Sequence, residues 1–119
     1  MKGRPAPHIK TRPAGTTVRV TVSGEVIAET KDALELKEGD YPVVYYVPRK
    51  DVKMDRLVRT SHQTYCPFKG QASYYSLKDG AQNAVWSYEQ PYEEMSVIKE
   101  RLAFYPDKVD SIAAEGAGR

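Results

Sequence analysis

Alternation of apolar and polar side chains predicts two strands near the start of the chain. Val18, Val20 and Val22 alternate with threonine and arginine, which is the two-residue period of a half-buried strand. A Ser-Gly pair at 23–24 predicts a turn, and residues 25–30 predict the returning strand.

The same reasoning predicts five further strands, over residues 33–37, 41–48, 57–60, 72–77 and 84–88. Pro42 and Pro48 should limit the strand at 41–48, because proline cannot donate a hydrogen bond to a ladder. Residues 78–83 are predicted to connect the last two strands as a hairpin. Short strands at this spacing predict a mainly β fold, with a bent antiparallel sheet or an open barrel.

One C-terminal helix is predicted over residues 91–105. Met95, Ile98 and Leu102 recur at three- and four-residue intervals, which is the spacing of a helix with one buried side. Pro106 should end it. This helix is expected to cover an edge of the sheet.

The ends of the chain differ in composition from its centre. Residues 1–15 are basic and rich in proline, which predicts an extended or disordered arm. Residues 113–119 are mostly small, which predicts a flexible tail. We therefore expect a single β-rich domain over residues 16–112. The arm is interpreted as solvated, so no specific nucleic-acid partner is predicted.

The composition is that of an ordinary globular protein, with 40% hydrophobic and 29% charged residues. Nine tyrosines against two phenylalanines favour strands, half-wet pockets and interfaces over a wholly apolar core. A net charge of +2 is too small to indicate nucleic-acid binding. No signal peptide or membrane span is recognisable, and a single cysteine excludes an internal disulfide. The expected location is the cytoplasm.

Most of the candidate chemistry lies between residues 60 and 75. Cys66 and His62 could form a thiolate and its base, which would make the sulfur nucleophilic. A lone cysteine is more often a small buried apolar side chain, so this catalytic pair is the less favoured interpretation. A metal at these two residues would need two further ligands, and no metal site is predicted.

Lys69, next to Gly70, suggests an anion site formed by a turn and cationic side chains, with Arg49 as a second cation. The segment is not a Walker motif, because its glycine spacing and the Ser or Thr after the lysine are missing. Aromatic side chains on the predicted strands could form a stacking wall for a flat ligand. These are Tyr46, Tyr74, Trp86 and Tyr88.

Four segments in this order resemble a bacterial and fungal family of unknown function that is also labelled nucleotidyltransferase-like. They are Tyr-Pro-Val-Val-Tyr-Tyr-Val-Pro-Arg (41–49), Thr-Tyr-Cys-Pro-Phe-Lys-Gly (64–70), Ala-Val-Trp-Ser-Tyr (84–88) and Phe-Tyr-Pro-Asp-Lys-Val (104–109). The resemblance implies a small, strongly bent β-fold with a terminal helix, similar to the zinc-bearing guanine-nucleotide-exchange fold. The zinc ligands of that fold are missing here.

The nucleotidyltransferase label has little support from the residues themselves. That chemistry uses a Gly-Ser phosphate grip and closely spaced carboxylates that hold two metal ions. The chain has no Gly-Ser pair, and Asp51 and Asp55 are the nearest equivalent of the carboxylates. The resemblance therefore implies a fold and no established activity.

Three functional hypotheses follow from the sequence. The leading one is a small domain that binds an anionic small molecule, without a cofactor, in an aromatic-lined pocket near Lys69. The second is a non-catalytic homodimeric interaction module that uses a strand edge and exposed tyrosines. The third is a thiol enzyme based on Cys66 and His62. Whether any reaction is catalysed stays open.

Overall fold

Residues 8–116 are described by the structure, a computed structural model, and most of them belong to short β-strands. The strands are β1 (Ile9–Pro13), β2 (Thr16–Val22), β3 (Glu25–Thr30), β4 (Leu34–Glu38), β5 (Val44–Tyr46), β6 (Leu57–Cys66), β7 (Gly70–Leu77), β8 (Val85–Ser87), β9 (Ala103–Phe104) and β10 (Ser111–Gly116). Short 3-10 helices connect some of them, at Arg49–Asp51, Met54–Arg56, Glu93–Ile98 and Pro106–Lys108.

The strands form three antiparallel sheets, which confirms the mainly β prediction. The sheet orders are β1-β4-β5, β10-β2-β3 and β6-β7-β8-β9. None of the three closes into a barrel within the described part of the chain. An antiparallel bridge between Val47 and Leu102 joins the end of β5 to the segment before β9, and a second between Ala28 and Val52 joins β3 to a connecting loop.

Two apolar clusters hold the sheets together. The larger contains Val20, Ile27 and Val85, and the smaller contains Leu36, Tyr46 and other residues of the first and third sheets. The valines that alternate along β2 explain its place in the core, since Val18 and Val20 are fully buried. Burying a side chain of this size contributes roughly 1.5–3 kcal/mol.

Paired strands reach into both terminal segments, which were predicted to be an extended or disordered arm and a flexible tail. β1 lies within the expected basic arm and pairs with β4, from Ile9 opposite Glu38 to Pro13 opposite Leu34. β10 enters the expected tail and pairs with β2 over its whole length. Backbone pairing needs no apolar periodicity, which explains why a basic segment and a segment of small residues gave no strand signal. The remainder of the arm and tail, residues 1–7 and 117–119, lies outside the described residues.

The predicted C-terminal helix is shorter than expected and of a tighter type. It is a 3-10 helix over Glu93–Ile98 with a kink at Met95. The backbone of Glu100 then adopts a φ of 61°, which is incompatible with helix continuation, and β9 follows. Leu102 is nevertheless buried, so the apolar spacing indicated correctly which side chains face the core.

The observed bounds of β5 and β6 also differ from the predicted ones. β5 is limited to three residues between Pro42 and Pro48, and β6 continues to Cys66 instead of ending at residue 60. Pairing of Cys66 with Gly70 turns the segment around Lys69 into the tip of the β6–β7 hairpin. Gly70 has a φ of 111°, a conformation that an L side chain rarely adopts, so glycine is required at this tip.

Alternation along β7 gives the four-stranded sheet two chemically different faces. Tyr74 pairs with Trp86, and Tyr75 pairs with Val85, so these two pairs point to opposite sides. We call the first side the Tyr74 face. The second side, which also has Ser87, is the Tyr75 face.

Candidate functional site

A cavity of about 600 Å³ lies where the three sheets meet. The first sheet contributes Leu36, the second Val18, and the third the Tyr74 face. Its walls are mainly apolar, and its volume lies within the range of small-molecule sites. The predicted residues that line it are Tyr46, Lys69, Tyr74, Trp86 and Tyr88.

A buried ion pair forms the polar part of the cavity wall. Lys69 is only 7% exposed, and its Nζ donates a hydrogen bond of 2.7 Å to Oε1 of Glu38. The same ammonium lies 6.0 Å from the ring centre of Tyr88 and 3.7 Å from Sγ of Cys66. The charge of Lys69 is therefore already compensated by a carboxylate of the protein.

Glu38 is the more accessible member of this pair. Its side chain is 25% exposed, and its second oxygen lies 3.6 Å from Nε2 of His8. His8 in turn packs edge-on against Phe68, which is part of the hairpin tip. The carboxylate thus lies between a buried cation and an exposed imidazole.

Tyrosines give the cavity a polar lining that resists ionisation. Burial raises the pKa of Tyr46 and Tyr88 far above the usual value of 10. Burial and a hydrogen bond with Tyr74 raise the pKa of Tyr105 to about 12. These hydroxyl groups stay neutral at physiological pH and can donate or accept hydrogen bonds there.

Side-chain contacts fix the orientation of the aromatic wall. Trp86 donates from Nε1 to Oη of Tyr46, and its ring lies against that of Tyr105 at a centroid distance of 4.5 Å. Oη of Tyr74 lies 3.0 Å from Oγ1 of Thr64 and 3.3 Å from Oη of Tyr105. These contacts hold the aromatic side chains in fixed positions, which is the kind of preorganisation that lowers the cost of binding.

Exposed apolar side chains lie among the residues that line the cavity. Tyr41 is 72% exposed and Val43 is 40% exposed, and both belong to the loop between β4 and β5. Together with Pro42 they form the apolar wall on this side of the cavity.

The predicted thiol pair is not brought together. His62 and Cys66 lie in the same strand, β6, so four residues place their Cα atoms roughly 13 Å apart. His62 packs against the ring of Tyr74 at a centroid distance of 4.5 Å. Cys66 packs against the smaller apolar cluster and contacts Lys69.

Arg49 is separated from the other predicted ligand-binding residues. It donates from Nη1 to Oη of Tyr75 and from Nη2 to Oγ of Ser87, both on the Tyr75 face. It is not among the residues that line the cavity. The two cations expected at one rim thus lie on opposite sides of the four-stranded sheet.

Glu38 and His8 were missed by sequence reasoning. Glu38 is 31 residues from Lys69 in the chain and in a different sheet, and only the tertiary fold brings the end of β4 to the tip of the β6–β7 hairpin. The one signal in the sequence for Glu38 was its position directly after a predicted strand. Carboxylates are too common at strand ends for this position to indicate an ion pair with Lys69.

Asp51 and Asp55, considered above as metal ligands, lie in two different 3-10 helices, Arg49–Asp51 and Met54–Arg56. Asp51 accepts a hydrogen bond of 2.7 Å from Oγ1 of Thr30 and is paired with Lys50. Within residues 8–116 there is no group of three His, Cys, Asp or Glu side chains that could hold a metal ion.

No helix in the described region has the length and apolar character needed to cross a membrane. Comparison with curated proteins found no match. A family model described as a domain of unknown function (DUF427), and labelled NTP_transf_9, matches residues 10–115, nearly the whole of the described chain. The chain belongs to this family of domains of unknown function.

Proposed function

We propose that this domain binds a small, mainly apolar molecule with an acidic group in the aromatic-lined cavity. The carrying observation is the buried Lys69, whose only carboxylate partner among its described contacts, Glu38, is partly exposed. A buried cation beside a largely apolar wall favours a ligand that combines a flat apolar body with one anionic group.

The acidic group would take the place of Glu38 beside Lys69. Glu38 is at the end of β4 and has His8 as an alternative partner, so its carboxylate can turn outward without losing every polar contact. The ligand would then keep the buried ammonium paired, which avoids the cost of an isolated buried charge. Trp86 and the cavity tyrosines would contact the apolar body.

A matched pair of fluorescent probes tests this proposal. 1-Anilinonaphthalene-8-sulfonate and N-phenyl-1-naphthylamine share the same aromatic body, and only the first has an acidic group. We expect the sulfonate to bind the wild-type protein more tightly than the neutral probe. Glu38→Gln should strengthen sulfonate binding several-fold, because it removes the competing carboxylate, and should leave the neutral probe unchanged.

Lys69→Met is the complementary variant, since it keeps a long apolar side chain and removes the charge. It should abolish the preference for the sulfonate. Lys78→Met removes one positive charge from an exposed position and serves as the control for overall charge. Equal binding of the two probes to wild type, or the same loss in the Lys78 variant, would refute the proposal.

A non-catalytic homodimeric module is a second candidate, favoured by the structure of β6. This ten-residue strand is an edge of its sheet, and Val58 and Tyr65 on it are exposed. Edge strands are usually protected by lysine, glutamate or proline, whereas β6 has Arg59 as its sole permanently charged side chain. Light scattering after size exclusion tests this candidate: Val58→Lys should convert a dimer to a monomer, and a monomeric wild type would exclude it.

The free thiol of Cys66 is compatible with the reducing conditions of the cytoplasm, which stays the predicted location.

A further inference from the structure

A second charged cluster lies on the Tyr75 face, outside the cavity. We call Arg49, Arg59 and Glu89 the arginine cluster. Nη2 of Arg59 lies 3.0 Å from Oε1 of Glu89, and Nη2 of Arg49 lies 3.6 Å from Oε2. Both guanidinium carbons also lie over the ring of Tyr75, at 5.7 and 5.8 Å from its centre.

Buried hydroxyl groups hold the guanidinium groups in place. Ser87 is fully buried and accepts from Arg49 (3.2 Å), and Ser73 is buried and accepts from Arg59 (3.1 Å). Nε of Arg49 is further fixed by a hydrogen bond to the main-chain oxygen of Glu100. The sheet therefore positions the two guanidinium groups, in addition to the carboxylate of Glu89 that they share.

The donors of this cluster converge on one oxygen atom. Oε2 of Glu89 accepts from Oη of Tyr75 at 2.8 Å and from Nη1 of Arg59 at 3.2 Å. The guanidinium group of Arg49 also faces this oxygen. The hydroxyl group of Tyr75 and the two guanidinium groups together therefore favour a negative charge at this position. A carboxylate oxygen of the protein thus marks a site suited to any oxyanion.

The cluster has one more positive than negative charge, and its acidic member is on an irregular segment. Glu89 follows the end of β8 and is 25% exposed on its side chain, whereas Tyr75 and Ser87 are anchored in strands. Displacing Glu89 therefore requires movement of one side chain on a loop and no change in the sheet.

We propose that the arginine cluster is an oxyanion-binding site for a carboxylate or phosphoryl group, which the carboxylate of Glu89 occupies in the free protein. The incoming anion exchanges with Glu89 and takes the hydrogen bonds of Arg59, Tyr75 and Arg49. This site is separate from the cavity and does not depend on the function proposed for it.

Inorganic phosphate is the probe for this site. Calorimetry gives its affinity, and the NMR signal of the Arg59 Nε–H group reports contact with the cluster. We expect wild type to bind weakly with a shift of this signal, and Glu89→Gln to bind at least tenfold more tightly, because the competing charge is removed while the shape is kept. Addition of Arg59→Gln to that variant should return the affinity to the wild-type level or below.

Glu25→Gln is the matched control. Glu25 also lies between two cations, Lys53 and Arg56, so its neutralisation changes the charge of the protein by the same amount. Lys69→Met added to Glu89→Gln should leave phosphate binding unchanged, which separates this site from the cavity. The proposal is overturned if Glu25→Gln gives the same gain as Glu89→Gln, or if phosphate leaves the Arg59 signal unmoved in both wild type and Glu89→Gln.

Discussion

The two faces of the four-stranded sheet handle positive charge in opposite ways. On the Tyr74 face, one ammonium is buried in apolar surroundings and depends on a single carboxylate, that of Glu38. On the Tyr75 face, two guanidinium groups lie at the surface around Glu89 and have several neutral partners as well. The cost of losing a carboxylate should therefore be high on the first face and low on the second.

Glu38→Ala should give the largest change in stability. It leaves the Lys69 ammonium buried without a carboxylate, and we expect the free energy of unfolding to fall by roughly 2–3 kcal/mol, since Glu38 is partly exposed. Urea denaturation measures it. Adding Lys69→Met should recover most of the loss, because it removes the isolated charge. A double variant as unstable as Glu38→Ala would show that the contribution of Glu38 is unrelated to Lys69.

Glu89→Ala is the matched change on the other face, and its effect should stay below about 1 kcal/mol. If both alanine variants lost the same stability, the contrast between the two faces would disappear.

The next largest difference between the two faces should be in the reactivity of the Cys66 thiol. In Glu38→Gln the ammonium of Lys69 has no carboxylate partner and lies 3.7 Å from Sγ of Cys66, so the thiolate becomes its best remaining anion. We expect alkylation of Cys66 by iodoacetamide at pH 7.5 to be about tenfold faster than in wild type, equivalent to ~1.4 kcal/mol. Glu89→Gln should leave the rate unchanged. A slower or equal rate in Glu38→Gln would contradict the assigned contact.

Alkaline pH should act through the tyrosines of the cavity. The pKa of Tyr105 is about 12 in the folded protein and near 10 when unfolded, so the unfolded state loses its proton first. The contribution of Tyr105 to the free energy of unfolding is therefore complete below pH 10 and is lost as the pH rises toward 12. Tyr105→Phe should reduce this loss by at most about 1 kcal/mol, allowing for screening at its exposed part. Urea midpoints at pH 8, 10 and 11 measure it; identical slopes in the two proteins would contradict the prediction.

Salt should have the smallest effect, and mainly on the Tyr75 face. Arg59 is about half exposed on its side chain, so its attraction to Glu89 is screened by mobile ions. We expect 0.5 M NaCl to remove most of the stability difference between wild type and Arg59→Gln, which itself should be roughly 0.5 kcal/mol. A larger and salt-independent difference would show that the contact with Ser73 dominates.

The strands that could be predicted from the sequence are those in which one side is buried in the core. β3 was predicted with its observed bounds, and the alternating valines identified β2, because such valines bury one side of a strand. β6 was missed beyond residue 60, since most of its side chains are exposed and the ladder with β7 forms it. Apolar spacing near Met95 identified the buried residues but not the element, because a 3-10 helix followed by a strand can bury the same positions.

Strand pairing brings together some of the residues that were predicted to lie on one wall. Tyr74 and Trp86 were placed on one wall because they lie opposite each other in a hairpin that the sequence indicated. Arg49 lies away from this wall, because it begins a 3-10 helix directly after Pro48 and no strand parity fixes which side of the sheet its side chain reaches. Glu38 was missed because its ion pair with Lys69 joins two different sheets, and no strand pairing readable from the sequence brings those sheets together.

The pairing of β7 with β8 also limits how this domain can change over evolutionary time. Neighbouring tyrosines at 74 and 75 face the cavity and the arginine cluster respectively, because a strand reverses its sides at every residue. Substitutions can change either surface independently. Inserting or deleting one residue between them would instead move the side chains of the rest of β7 to the opposite face, so that cavity residues would point to the arginine cluster and the reverse. Variation in length among relatives is therefore expected in the connecting loops and not inside this strand.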